Sequence, residues 1–194
     1  LVQTDTAGDF NCTGSYVVAM DNNEPVDIKC WRVLPHGGQT LRLALQNSCN
    51  PAFMMIGQAV GADKFWEYYQ GFGFSEKTGI DLPGEQSGIF FNEIGPTDLA
   101  VASFGQGFAI TPIQMVTAMS AVANGGNLMQ PYVVKSMLDE DGNTVFEAEP
   151  IVKRSVISET TSEEVLKMME KVVSSGTGKN AYIPGYRVAG KTGT

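Results

Sequence analysis

The sequence contains a single histidine, His36, and this scarcity limits the kinds of site that the chain can build. A catalytic dyad based on histidine, or a metal site with several histidines, would need residues from outside the chain. Gly37 and Gly38 follow His36 directly, which favours a structural position in a loop. We therefore expect no metal site and no cofactor.

Long apolar runs and an excess of basic residues are also absent. No window has the ~18 consecutive apolar residues that a transmembrane helix needs. The net charge of −8 argues against nucleic acid or an anionic membrane surface as a partner. The start, Leu1–Asp5, has neither a basic n-region nor an initiator methionine, and the chain stops directly after its most informative motif. Residues 1–194 are therefore interpreted as one partial domain of a longer protein.

The chain has three cysteines, Cys12, Cys30 and Cys49, and an odd number does not fit a closed disulfide framework. Two apolar runs, 16–20 and 25–29, predict a hairpin that places Cys12 and Cys30 roughly opposite each other. Three buried thiols are one interpretation. A bridge from Cys30 to Cys12 or to Cys49, in an extracytoplasmic protein, is the other, and it makes all three candidate redox cysteines.

Local patterns predict most of the helices. Caps and apolar periodicity indicate helices from Leu41 after the N-cap Thr40, from Pro51 to Val60 after Asn50, and from Pro112 to Ala123 after Thr111. Further helices are predicted at 63–70, from residue 96 and at 158–174, the last with a Thr161–Glu164 capping box. Runs 132–137 and 144–147 predict two more strands.

The last seven residues, Val188–Thr194, form the most informative stretch. Val188 and Ala189 predict the start of a strand, and the glycines around Lys191 and Thr192 would let a ligand lie against the backbone. A lysine, two hydroxyls and the Thr194 N–H could bind a carboxylate or a developing oxyanion. An exposed edge strand weakened by glycine is the simpler alternative.

Two other glycine-rich stretches resemble binding loops only superficially. A second Lys-Thr-Gly triplet, Lys77–Gly79, precedes a turn rich in glycine and proline and does not follow a strand, so we assign it a structural role. The segment 176–179 lacks the second glycine pair and the preceding strand of a phosphate-binding loop.

A Ser-x-Asn motif, Ser48-Cys49-Asn50, decides between these interpretations. By itself it could be a turn followed by the N-cap Asn50. Together with the terminal Lys-Thr-Gly, it belongs to the motif set of penicillin-binding proteins and class A β-lactamases. The chain closely resembles the transpeptidase domain of class B penicillin-binding proteins over nearly all its length, in particular in the His-Gly loop and in segments 46–53, 71–85 and 103–131.

The resemblance implies a fold, an activity and residue roles. The fold would be α/β (α+β), of the penicillin-binding transpeptidase and serine β-lactamase type, with an antiparallel sheet flanked by helices and an all-helical subdomain bearing Ser48. The activity would be peptidoglycan cross-linking through an acyl-serine formed from D-Ala-D-Ala stem peptides, with β-lactams as substrate mimics. Ser48, Asn50 and Lys191 would be catalytic, and Thr192, Gly193 and Thr194 would bind the substrate.

The nucleophile motif Ser-x-x-Lys is missing, since no serine has a lysine three residues after it. In the family this motif precedes Ser-x-Asn, so we expect the nucleophile helix, and the last strands of the sheet, to lie outside the chain. Ser48 has no lysine within helical reach to act as its base, so we do not assign it as the nucleophile. We therefore expect the chain alone to be inert towards penicillin.

Other functions remain open at this point. A serine β-lactamase is disfavoured by the blocks that resemble class B enzymes. A β-lactam sensor or a non-catalytic domain is the other alternative, and the sequence before residue 1 would discriminate between these and a transpeptidase. The cysteines resemble the sporulation type of Gram-positive bacteria. Membership of the family also implies the outer face of the cell membrane, reached through an anchor outside this chain, with division, elongation or sporulation partners that the sequence does not identify.

Overall fold

The computed structural model describes residues 10–19, 24–91 and 93–193. Among these residues the helices are α1 Leu41–Asn47, α2 Asn50–Val60, α3 Ala62–Gly71, α4 Pro96–Ser103, α5 Pro112–Ala123 and α6 Glu159–Ser175, with a 3₁₀ turn at Lys179–Ala181. The strands are β1 Phe10–Cys12, β2 Ser15–Ala19, β3 Pro25–Lys29, β4 Gly37–Gln39, β5 Asn127–Met129, β6 Ser136–Leu138, β7 Thr144–Glu147 and β8 Val152–Ser155. None of these helices is both long and apolar enough to cross a membrane.

The strands pair two by two, and every pair is antiparallel: β1 with β4, β2 with β3, β5 with β8, and β6 with β7. The hairpin β2–β3 and the pairing of β6 with β7 confirm two predictions, although β6 begins later than expected. The turn predicted at residues 21–24 lies largely outside the described residues. The strands β1, β4, β5 and β8 were not predicted, because each is short and pairs with a strand distant in sequence, so that no hairpin turn marks it.

The helix starts follow local capping chemistry. The Thr40 hydroxyl accepts the Leu43 N–H at the start of α1, and Thr111 forms a capping box with Gln114 at the start of α5, both as predicted. At α6 the prediction of a Thr161–Glu164 box is wrong. Ser158 is the cap, since its Oγ accepts the Thr161 N–H at 3.1 Å.

The chain divides into two compact units. The first comprises residues 1–66, 91–108 and 164–194, and the second comprises residues 67–90 and 109–163. Helices α3 and α6 contribute residues to both.

In the second unit, the buried Gln114 organises the loop that follows α3. Its Nε2 donates to the carbonyl oxygens of Phe74 at 3.2 Å and Glu76 at 2.7 Å. Arg154 and Lys153 form ion pairs with the Glu76 carboxylate at 2.6 and 3.1 Å, and these contacts lower the pKa of Glu76. The loop is therefore held by hydrogen bonds from a buried side chain and by ion pairs rather than by regular secondary structure.

In the first unit, one apolar cluster surrounds the junction of α1 and α2. Its buried members are Phe10, Cys12, Cys30, Ala44, Cys49 and Ala52. A second cluster packs Val18 against Met54 and Ala100, which joins β2, α2 and α4. The start of α2 is thus fixed on both sides by buried side chains.

Gly57 permits the close packing of α2 on α4. A Cβ at this position would overlap the Ser103 Oγ and lie 2.7 Å from the Ser103 Cβ. The two helices therefore approach at a distance that only glycine allows.

We predict that Gly57→Ala lowers the free energy of unfolding by about 1–3 kcal/mol, because the added methyl group overpacks this contact. Urea denaturation of this variant and of the matched control Ala59→Ser, an exposed position on the same helix, provides the measurement. Equal stability of Gly57→Ala and the unchanged protein would refute this account of the helix contact.

Candidate active site

The turn between α1 and α2 presents Ser48 in a left-handed conformation, with φ 51° and ψ 46°. It is the one non-glycine residue with positive φ in the described part of the chain. Such a conformation is costly for a residue with a Cβ, and it persists where neighbouring structure enforces it. Here the Cys49 N–H donates to the Ala44 oxygen at 3.0 Å, and the Cys49 side chain is fully buried. The turn therefore holds Ser48 in a fixed position.

Asn50 is the first residue of α2, and Cys49 takes the N-cap position. The alternative in which Asn50 is merely the N-cap does not hold, because it is the Cys49 backbone that is extended, with φ −79° and ψ 107°. The Asn50 side chain is half-buried, and the hydrogen bonds recorded among the described residues do not include it.

Lys191 meets Ser48 across 143 residues of sequence. The Lys191 Nζ donates to the Ser48 Oγ at 2.8 Å, and it also contacts the Thr192 backbone oxygen at 3.0 Å and the Thr192 Oγ1 at 3.2 Å. The structure thus brings three of the predicted site residues together. An ammonium beside a hydroxyl can polarise it and attract an anionic ligand.

The electrostatics of Lys191 follow from its position. Although the side chain as a whole is exposed, partial removal of the ammonium from water lowers the pKa of Lys191 below the ordinary lysine value. A lowered pKa makes proton exchange with the neighbouring hydroxyl less costly. Lys191 can therefore serve as a charge and as a proton-transfer partner of Ser48.

The predicted strand at Val188–Thr194 is not formed among the described residues, which end at 193. A strand needs a neighbour for its backbone groups. Among the residues that the structure describes, the one backbone-to-backbone hydrogen bond of this segment is long, from the Gly190 N–H to the Met169 oxygen at 3.4 Å. Gly193 is exposed, and a Cβ there would meet no atom within 4 Å. Thr194 lies outside the described residues.

Thr177 joins the site, although the sequence interpretation treated its segment as a connecting loop. Its Oγ1 lies 3.2 Å from the Thr192 Oγ1, and its N–H donates to the Gln46 oxygen at 3.1 Å. The Gln46 Nε2 in turn donates to the Ser175 oxygen at 3.2 Å. The available signal was the pattern Gly-Thr-Gly after a helix, in which Thr177, like Thr192, is followed by a glycine.

The other Lys-Thr-Gly triplet has the structural role predicted for it. Thr78 is buried, and its N–H and hydroxyl both donate to the Glu85 carboxylate, which also accepts the Gly79 N–H at 3.0 Å. Burial alone would raise the pKa of Glu85, but these hydrogen bonds lower it. The Lys77 side chain itself is exposed.

The three cysteines converge with the single histidine. All three are buried thiols in this structure, which agrees with the first of the two interpretations and not with a disulfide bridge. The sulfur atoms of Cys12, Cys30 and Cys49 and one ring nitrogen of His36 all lie within 4.8 Å of one another. Burial raises the pKa of the Cys49 thiol to about 12.

Comparison with known proteins places this geometry in a context. A family model described as the penicillin binding protein transpeptidase domain matches residues 15–194. The chain is 48% identical over 170 residues to stage V sporulation protein D of Bacillus subtilis, covering 86% of this chain and 26% of that protein. It is 33% identical over 168 residues to the peptidoglycan D,D-transpeptidase FtsI homolog of Mesostigma viride, covering 77% of this chain and 28% of that protein.

A solved structure is similar over almost the whole chain. Penicillin-binding protein 3 of Mycobacterium tuberculosis, complexed with ampicillin, matches with a TM-score of 0.85 and 28% identity, over 98% of this chain and 42% of that one. This match confirms the predicted fold class. The chain spans about a quarter of the length of the two curated relatives.

Gly176 sets the distance between the end of α6 and Gln46. A Cβ at Gly176 would lie 2.5 Å from the Gln46 oxygen and 2.9 Å from the Val172 oxygen, both of them backbone atoms that cannot rotate away. We predict that Gly176→Ala lowers the free energy of unfolding by about 1–3 kcal/mol and speeds hydrogen exchange at the Thr177 amide.

Gly190→Ala is the matched control for this prediction, since its Cβ would make only an ordinary 3.5 Å contact with the Val173 Cγ2. Urea denaturation and amide exchange measured by NMR test both variants. Unchanged exchange at Thr177 in Gly176→Ala would show that this contact does not hold the segment.

Proposed function

This chain belongs to the penicillin-binding protein transpeptidase family, and we propose that it supplies the Ser-x-Asn and Lys-Thr-Gly parts of a peptidoglycan D,D-transpeptidase active site. The observation that carries the proposal is the 2.8 Å hydrogen bond from the Lys191 Nζ to the Ser48 Oγ. It unites the two motifs in one place, whereas the other Lys-Thr-Gly triplet is engaged in a loop.

The proposed reaction is acyl transfer in two steps. A serine nucleophile attacks the carbonyl between the two D-alanines of a stem peptide, the C–N bond breaks, and D-alanine leaves after gaining a proton. An amine of a neighbouring strand then attacks the acyl-serine, the C–O bond to the serine breaks, and the amine proton passes to the released serine hydroxyl as the cross-linking amide forms. The nucleophile comes from a Ser-x-x-Lys motif that the 194 residues do not contain.

Ser48 and Lys191 handle the proton in this scheme. The Ser48 Oγ passes a proton to the leaving amine, and Lys191 orients the Ser48 hydroxyl and restores its proton. The lowered pKa of Lys191 supports this role, because a less basic ammonium gives up its proton more readily. Asn50 would hold the substrate amide and the lysine of the nucleophile motif.

In this scheme, residues 192–194 bind the substrate. The hydroxyls of Thr192 and Thr194 would bind the terminal carboxylate of the stem peptide, with Lys191 contributing positive charge. The Thr194 N–H would donate to the oxyanion, and Gly193 leaves the backbone open to the substrate. The hydrogen bond between Thr177 and Thr192 supports this arrangement by fixing the Thr192 hydroxyl.

β-Lactams would acylate the same nucleophile, because their strained amide mimics the D-Ala-D-Ala bond. The site would act at the outer face of the bacterial cell membrane, where peptidoglycan is cross-linked. The 48% identity to a protein named for stage V of sporulation supports a role in sporulation rather than in division or elongation.

Covalent labelling with fluorescent penicillin tests the proposal. We predict that the protein carrying a Ser-x-x-Lys segment before residue 1 forms one acyl adduct by intact mass, and that the 194 residues alone form none. In the longer protein, Lys191→Ala should slow acylation by about 10²–10⁴-fold, because proton transfer and positive charge are both lost.

Lys77→Ala is the matched control, since it removes the lysine of the other Lys-Thr-Gly triplet and should leave the acylation rate unchanged. Acylation of the 194 residues alone would overturn the assignment of the nucleophile. No acylation of the longer protein would favour a non-catalytic domain, and rapid release of hydrolysed penicillin would identify a β-lactamase.

A further inference from the structure

Four groups that could bind a metal ion converge in the first unit, and the proposed transfer reaction uses none of them. They are the thiols of Cys12, Cys30 and Cys49 and the imidazole of His36, with all four ligand atoms within 4.8 Å of one another. The Cys30 Sγ and the His36 Nδ1 are 3.6 Å apart. We propose that these four side chains bind one Zn²⁺ ion.

The ligand set fits zinc in number and in kind. Three cysteines and one histidine form one of the standard closed sets of structural zinc sites, which are tetrahedral. With Zn–S bonds of about 2.3 Å, ligand atoms in a tetrahedral site lie about 3.7 Å apart. The observed separations therefore need only a small contraction to close around an ion. Each thiol that binds releases its proton to solvent, and the thiolates balance the charge of the cation.

The backbone already holds the ligands in place. Cys12 ends β1, Cys30 follows β3, His36 precedes β4, and Cys49 caps α2. The Cys30 N–H donates to the Gly14 oxygen at 2.8 Å, and the Trp31 Nε1 donates to the Asn47 oxygen at 3.1 Å. These hydrogen bonds hold the segments that carry Cys30 and Cys49 before any ion binds, which lowers the entropic cost of binding.

A buried, unpaired amide provides independent support. Gln39 is 2% exposed, and its Nε2 has no hydrogen-bond acceptor among the described residues. Its Oε1 is already used by the Asn47 amide, at 2.8 Å. The Gln39 amide lies near the Cys49 side chain, so a zinc-bound thiolate there would offer an acceptor for the free N–H. Metal ligands are typically supported by such outer hydrogen bonds.

A disulfide explains the cluster less completely. One bridge among three cysteines leaves a thiol and the histidine without a role, whereas zinc uses all four groups.

Since Cys49 lies between Ser48 and Asn50, the ion would tie the turn of the Ser-x-Asn motif to β1 and to the loop after β3. Zinc would thus stabilise the conformation that presents Ser48. The expectation of no metal site, drawn from the single histidine, overlooked this mixed set.

Metal analysis of the reduced protein tests the proposal directly. The protein, purified without chelator, should contain about one Zn²⁺ per chain by mass spectrometry of the elements. After exchange into Co²⁺, it should show the intense visible bands of tetrahedral cobalt with thiolate ligands. Cys12→Ser, Cys30→Ser, Cys49→Ser and His36→Ala should each lose most of the bound metal or change the cobalt spectrum.

Thr13→Ala is the control, because this exposed neighbour of Cys12 offers no metal ligand, and it should keep full metal content. Addition of Zn²⁺ should also raise the midpoint of thermal unfolding of the chelator-treated protein, but not that of Cys49→Ser. Three results would each overturn the proposal. They are reduced protein that takes up neither Zn²⁺ nor Co²⁺, four ligand variants that bind as much metal as the unchanged protein, and a disulfide that persists in the protein as purified.

Discussion

The hydrogen bond between the Lys191 Nζ and the Ser48 Oγ is the contact on which the candidate site depends. It joins residues 143 positions apart, and it requires both partners to be held by their own surroundings. On one side, the buried Cys49 and the hydrogen bonds of the turn fix Ser48 in a left-handed conformation. On the other, Thr177 links Thr192 to the Gln46 backbone. Both supports lie in the first unit.

The cysteine and histidine cluster adds a further constraint on the same turn. Cys49 is both the N-cap of α2 and a member of the apolar cluster that includes Cys12, Cys30 and Ala44. The side chains of the adjacent residues Ser48 and Cys49 therefore lie in different surroundings. One is anchored in the interior, while the other faces Lys191. Any change in the oxidation or metal binding of Cys49 would act on Ser48 through a single peptide bond.

The sequence predicted what depends on local chemistry or on a recognisable motif. The caps at Thr40 and Thr111 and the hairpin β2–β3 follow from neighbouring residues. Ser48 and Lys191 were assigned to one site from the resemblance of their two motifs to a known family, since no periodicity joins positions so far apart. The contacts of Thr177 and the convergence of His36 with three cysteines could not be predicted, because they arise from packing of segments distant in sequence. The predicted strand at Val188 failed because strand formation needs a paired neighbour.

The central claim is that Ser48 and Lys191 act as one unit in proton transfer. A double-mutant cycle tests it most directly, with the penicillin acylation rate measured for the protein that includes the Ser-x-x-Lys segment and for Ser48→Ala, Lys191→Ala and the double variant. Residues that act together are strongly non-additive, so the double variant should be about as slow as the slower single variant. If the two rate losses multiply instead, Ser48 and Lys191 act independently and the account is contradicted.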